Sequence, residues 1–280
     1  MTALAVPAAR AGGQRRTVRG PLRAYGAYAT AGARLELAAR SAFVGRAAFL
    51  AVILFVFSRI WALVVRQGGL GDRSGADLLW YIALTEWVML SIPAVHLEVE
   101  NDLRSGDLVA RLSQPVSYPA ARLAEAGGAA AVRLLLLGPV ALAAAAVMAG
   151  GFPREPGGLV LAVPAGILAT TLAVISVGGI GACAVWLHDT SPVYWIWSKL
   201  AFMLGGLMLP LEVYPGWLRT FASWTPFGAM LNGTGRMAFG FDPGEAAGVV
   251  ASLAAWLVVI SLGVALLWRR SLRALDGYGG

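Results

Sequence analysis

Cysteine occurs once in the 280 residues, at Cys183, so no disulfide framework holds the chain together. Histidine occurs twice, at His96 and His188, which leaves little for a zinc site. Lysine is limited to Lys199, inside "WSKLAF", and no Walker A loop exists to cradle ATP phosphates. There is no G-x-S-x-G elbow, no CxxC and no acidic pair at metal-ligand spacing. Charge is also scarce, at 13% of residues against about 25% in soluble domains. What is present is apolar: 58% hydrophobic residues and a mean hydropathy of +0.71. This composition excludes a water-soluble globule, a disordered tail and a collagen-like fibre. A net charge of +7 invites a nucleic-acid partner, but seven arginines fall before residue 41, ahead of the first long apolar run. The reading is a polytopic membrane protein with no nucleic-acid partner.

A bilayer core of about 30 Å takes about 20 apolar residues in a helix. Six segments are expected to cross, over about 42–65, 78–95, 134–148, 158–187, 193–209 and 246–268. The fold class expected is therefore all-α integral membrane, a single transmembrane domain over 21–280 behind a basic tail at 1–20. Arginine placement orients it. Arg104, Arg111 and Arg122 follow the second span, and Arg269, Arg270 and Arg273 follow the sixth, on the same side as the seven N-terminal ones. Arg73, Arg154, Arg219 and Arg236 lie opposite, with Arg66 at a helix end. The positive-inside rule puts both termini in the cytoplasm.

The pair Arg15-Arg16 hints at a twin-arginine signal, yet "GQRRTVRG" lacks the apolar residues expected next, and no short h-region with a small-residue cleavage site follows. Leu22, Tyr25, Tyr28, Gly32 and Leu35 recur at three- and four-residue steps, with Arg23 and Arg34 off that stripe. The pattern predicts a helix over 21–41 lying on the inner membrane surface, with Gly32 its weak member. A disordered basic segment is the alternative.

Several features inside the spans carry expectations. Arg59 and Glu86 lie about 9 and 12 Å from the same membrane face at 1.5 Å per residue, so an ion pair between them is expected. Lys199 is placed either on a transport path or against a carboxylate of a partner. Phe202, Met203 and Met208, with Trp195 and Trp197, give the fifth span an aromatic and Met-rich surface, facing either cargo or lipid. Gly205, Gly206 and Pro210 break that span at membrane depth, where non-helical backbone is tolerated only against protein or a cavity. The segment after it, with Tyr214 and Pro215, reads either as a re-entrant or outer-surface gate or as an ordinary extracellular loop. Gly178, Gly179 and Gly181 form a small-residue face suited to close helix approach.

The long polar segment after the second span is the most informative. It begins with an acidic stretch, "EVEND", and is expected to form a short helix, a break at Ser105-Gly106-Asp107, a second helix over 108–112, and a return through Pro115 and Pro119. On chemistry alone it is either a docking knob or an interfacial helix with solvated charges.

The run Glu98 to Pro115, E-x-E-x-D-x-R-S-G-D-L-x-x-R-L-x-x-P, resembles the loop of ABC-2 type transporter permeases, in the small six-span bacterial branch without an ATPase domain. The stretch Asp189 to Phe227, with its Gly-Gly, "LP-x-x-x-YP" and "TPF" elements, is similar to the same branch. The resemblance implies a permease subunit of an exporter in the bacterial cytoplasmic membrane, paired with an identical or related permease. Two soluble nucleotide-binding subunits would then supply Mg-ATP hydrolysis, with no catalytic residue, cofactor or metal in this chain. It further implies that Glu98, Glu100, Asp102, Leu103, Arg104, Ser105, Gly106 and Asp107 lie at or near the ATPase contact. Lys199, Phe202, Met203, Met208, Pro210, Tyr214 and Pro215 are the candidate pathway or gate residues from the reading of the fifth span. The competing readings are an integral-membrane enzyme on lipid substrates and a non-transporting scaffold or self-protection protein.

Overall fold

A computed structural model describes residues 19–66, 74–153, 155–240 and 242–278. The basic tail at 1–20 therefore lies outside the described residues except for 19 and 20, as do Arg73 and Arg154. The described chain is helical throughout. Helix α1 spans Arg19–Ala38 and α2 Arg40–Arg66. Helix α3, Gly75–Leu90, starts on a capping box in which Ser74 and Asp77 exchange side-chain and backbone hydrogen bonds. Helices α4 (Val95–Ser105) and α5 (Asp107–Leu112) follow. Next come α6 (Tyr118–Ala149), α7 (Gly157–Ala182), α8 (Ala184–Leu187) and α9 (Ser191–Leu204). Helix α10 (Gly216–Ser223) leads through a π-helical turn into α11 (Gly233–Arg236), and α12 covers Pro243–Tyr278.

Among the described residues, five helical runs are long and apolar enough to cross a membrane: Arg40–Val64, Gly75–Ser105, Tyr118–Ala149, Gly157–Leu187 and Pro243–Leu275. The protein is a multi-pass helical membrane protein. The expected fifth crossing is α9, whose 14 residues reach about 21 Å at 1.5 Å per residue, short of a bilayer core.

The bundle is organised around α3. Every residue from Leu78 to Val88 is buried, the mark of a helix surrounded on all sides. By contrast α2 and α12 present Val52, Phe55, Leu63, Val258, Leu262 and Leu266 outward, apolar surface suited to a lipid environment. Glycine permits the closest helix approaches. A Cβ on Gly178 would meet Leu123 of α6, one on Gly179 would meet Val264 of α12, and one on Gly181 would crowd Val99 and His96 of α4. The small-residue face of α7 thus admits three neighbours rather than one.

Helix α1 is seated on α6 by the same device. A Cβ on Gly32 would fall 2.0 Å from the Glu125 carbonyl oxygen, and one on Gly128 would fall 1.8 Å from that of Ala29. Gly32, which adds nothing to an amphipathic stripe, is the contact itself. Leu22, Leu35 and Leu37 remain exposed on α1. Near its end Glu36 binds Arg133 of α6 at 2.8 Å and also pairs with Arg46 of α2. Arg133 donates to the Ile92 carbonyl at 2.8 Å as well. Burial alone would raise the Glu36 carboxyl, but Arg133 and Arg46 outweigh it and hold it below its ordinary 4.5.

A lowered folded-state value means that Glu36 contributes its full stabilisation above the ordinary carboxylate value and loses it as the pH falls through the lowered one. Glu36→Gln is expected to melt earlier than the native chain at neutral pH. The gap should close as the pH falls through the lowered value of Glu36; thermal melts in detergent from neutral into acid solution measure it.

Candidate functional site

Two segments interrupt the bundle's regular helices, and both were singled out by sequence. The first is the α4–α5 pair. Helix α3 ends at Leu90, and Pro93, which has no backbone N–H to continue the ladder, separates it from α4. Helix α4 ends at Gly106, whose φ of 81° is left-handed and favours glycine, and α5 leaves from it directly.

The acidic residues of α4 do not share one fate. Asp102 is buried, and its Oδ2 accepts from the Tyr118 hydroxyl at 2.7 Å and from Arg122 Nε at 2.8 Å. Arg111 Nε lies 3.3 Å from its other oxygen. Arg122 in turn reaches Glu98 at 3.3 Å and Glu125 at 2.8 Å. Glu100, also buried, points the other way. Its Oε2 accepts from both the backbone N–H and the hydroxyl of Thr190, each at 2.8 Å. Arg104 pairs with Glu100 at 2.7 Å and donates to the His188 carbonyl at 2.9 Å. Spacing explains the split: positions 98 and 102 are one turn apart on one face, while 100 lies about 200° round from 102 at 100° per residue.

Of the eight residues expected at an ATPase contact, Glu100 and Asp102 are therefore internal ties, and Leu103 packs beside Val99, Leu108 and Trp268. Glu98 is half-exposed, and Arg104, Ser105, Gly106 and Asp107 are exposed. The exposed apolar members of the same segment, Leu97 (41%), Val109 (75%) and Leu112 (40%), were not among the eight.

The second segment follows α9. Gly206 takes a φ of 66° and the chain runs without α-helix to Pro215. Its backbone is satisfied from α3 and from the π turn. Tyr81 donates to the Gly206 carbonyl at 2.5 Å, and Thr85 donates to that of Leu207 at 2.7 Å. The Asn232 side-chain oxygen accepts from the Leu211 N–H at 3.1 Å and lies 3.1 Å from the Tyr81 hydroxyl, whose single proton is shared toward Gly206. Tyr81, Thr85 and Asn232 are buried residues that sequence reasoning passed over as ordinary polar positions; a tyrosine and a threonine one turn apart inside an apolar run were the available signal. Beyond the break, Arg236 binds Glu212 at 2.8 Å and also pairs with Glu245, which ties the segment to α12.

The residues expected on a pathway lie along α9 and the segment after it. Lys199 is exposed and its Nζ sits 4.8 Å from the centre of the Trp195 ring, a cation–π contact. Phe202 and Met203 are exposed, Met208 and Tyr214 half-buried, Pro210 buried and Pro215 exposed. Tyr214 closes back onto the Met203 carbonyl at 2.8 Å. A largely apolar cavity of about 450 Å³ does lie between α7, α9 and α12, walled by Cys183, Trp197, Phe227 and Met230 among others.

The expected Arg59–Glu86 pair is not formed. The buried stripe of α2 runs through Leu50, Leu54 and Trp61, and position 59 lies off it. Arg59 is exposed, with its guanidinium 5.2 Å from the centre of the Phe55 ring, while Glu86 is buried in α3. Equal depth brought the two residues to one level without turning them toward each other. Among the described residues no three His, Cys, Asp or Glu side chains gather as a metal site. No family model matches the chain, and no curated protein matches it.

The Asp102–Arg122 pair is enclosed, and removing Asp102 takes from Arg122 its most buried partner and leaves only Glu98 and Glu125 beside it, a loss of up to about 3–5 kcal/mol. Asp102→Ala is accordingly expected to lower the melting temperature markedly, whereas Asp107→Ala, at an exposed site, should leave it within a degree or two. Scanning calorimetry or a thermofluor melt of the two variants checks this.

Proposed function

We propose that the chain is the permease subunit of an ATP-driven exporter of the ABC-2 type, moving a hydrophobic or amphipathic molecule across a bacterial cytoplasmic membrane. The observation that carries this reading is the α4–α5 pair. It is a short helical elbow braced on one side by Asp102 and Arg122 and on the other by Glu100 and Thr190, yet it leaves Leu97, Val109 and Leu112 uncovered. An internally tied elbow with an apolar tip and a charged rim suits docking to a soluble protein.

On this reading the elbow and both termini face the cytoplasm, where a separate nucleotide-binding subunit, in two copies, holds Mg-ATP. The contact residues are the exposed ones: Leu97, Arg104, Ser105, Asp107, Val109 and Leu112, with Glu98 at the edge. Glu100 and Asp102 support the elbow from within. The short α9 and the segment to α10 together make the fifth of six crossings and its outer closure. A second permease subunit, identical or related, covers the exposed face of α9 with Lys199, Phe202 and Met203.

Affinity purification of the tagged chain from its native membrane should recover a soluble subunit bearing a Walker A loop and ATPase activity. Val109→Asp combined with Leu112→Asp should release that subunit while leaving the melting temperature unchanged. Recovery of no ATPase with the native chain would end the permease reading, and retention by the double variant would move the docking site elsewhere.

A further inference from the structure

Helix α9 is loosely packed along its length: of its 14 residues only Ala201 is buried. Its two ends are fastened, and to consecutive helices. At its N-terminal end α4 holds it through Glu100, which accepts from the Thr190 N–H and hydroxyl at 2.8 Å. Arg104 holds the preceding turn at the His188 carbonyl, 2.9 Å away. His96 of α4, itself buried, stacks on Tyr194 of α9 with ring centres 4.1 Å apart and planes 16° from parallel. At the other end α3 holds the residues just past α9, through Tyr81 to Gly206 at 2.5 Å and Thr85 to Leu207 at 2.7 Å.

Helices α3 and α4 are not one rod. Residues 91–94 between them are non-helical and contain Pro93. Helix α9 therefore bridges a bend whose two arms each grip one of its ends. On the side of α4 away from Thr190, Asp102 is pinned to Arg122 of α6, which supplies a fixed point about which α4 can tilt. The far anchor has little slack, because a Cβ on Gly206 would meet the Leu209 carbonyl oxygen at 2.8 Å and the Tyr81 hydroxyl at 3.0 Å.

We propose that α9 is a strut across the 91–94 bend: a tilt of α4 is delivered through Thr190 along α9 to the break at Gly206–Leu207, and a disturbance of the break is felt at Thr190. Glu100, Thr190 and Thr85 are positioning residues in this linkage. Its purpose rests on the permease reading, in which α4 is the part driven by the ATPase. The linkage itself rests on the contacts alone. Because coupling between two sites is reciprocal, it must appear in both directions.

Hydrogen–deuterium exchange of the full chain in phospholipid nanodiscs tests it. Thr190→Val and Glu100→Ala remove contacts at one end, and Thr85→Val removes one at the other. Each is expected to speed exchange about tenfold at its own end, the scale of one lost hydrogen bond. Each should also raise it measurably at the opposite end, 188–191 or 205–208, with α12 unchanged. Thr190→Val keeps the backbone donor to Glu100 and serves if Glu100→Ala does not fold. Changes confined to the mutated end in the Thr190 and Thr85 variants would overturn the strut. Reciprocal changes in a chain that recovers no ATPase would keep the strut and discard the permease reading; a recovered ATPase with purely local changes would do the reverse.

Discussion

Arg122 is the group on which one end of this bundle depends. A guanidinium on a membrane-length helix must be compensated where it sits, and here it is met by Asp102, Glu98 and Glu125, with Tyr118 completing the shell of Asp102. That requirement fixes α4 against α6. Once α4 is fixed, Glu100 has only the α8–α9 turn to face, and the remaining surface of α4–α5 is left outward. The shape of the exposed elbow is thus a by-product of charge compensation inside it.

A second constraint acts in the middle of α3. Backbone that leaves the helical ladder inside an apolar environment needs donors and acceptors from elsewhere in the chain. Tyr81, Thr85 and Asn232 supply them, and all three are buried among apolar neighbours. Helix α3 therefore does two jobs with one sequence: it is the hydrophobic centre of the bundle and the side-chain support for the break after α9. Its burial on every face follows from serving neighbours in all directions.

Much of this was legible in the sequence because its signals were local. Uninterrupted apolar runs marked the long helices, Gly205, Gly206 and Pro210 marked the break, and Ser105-Gly106-Asp107 marked the corner between α4 and α5. What was not legible depended on azimuth and on distant partners. Glu98, Glu100 and Asp102 read as one acidic patch until Arg122 and Thr190, 20 and 90 residues away from Asp102 and Glu100, claimed two of them from opposite sides. Arg59 and Glu86 agree in depth, but depth says nothing of rotation about the helix axis. Gly32 looked like a gap in an amphipathic stripe because the stripe ignores the helix that lies on it.

The seat of α1 on α6 also sets an order of events. Glu125 and Arg133, against which Gly32 and Glu36 rest, are made long after them; the Glu36–Arg133 pair spans 97 residues. During synthesis α1 has no groove to enter until the third long helix has emerged, and Glu36 has only the nearby Arg46 to neutralise it. The first described helix is accordingly seated only after two long helices that follow it in the chain, and a wait between its synthesis and its docking is built into the order of the sequence.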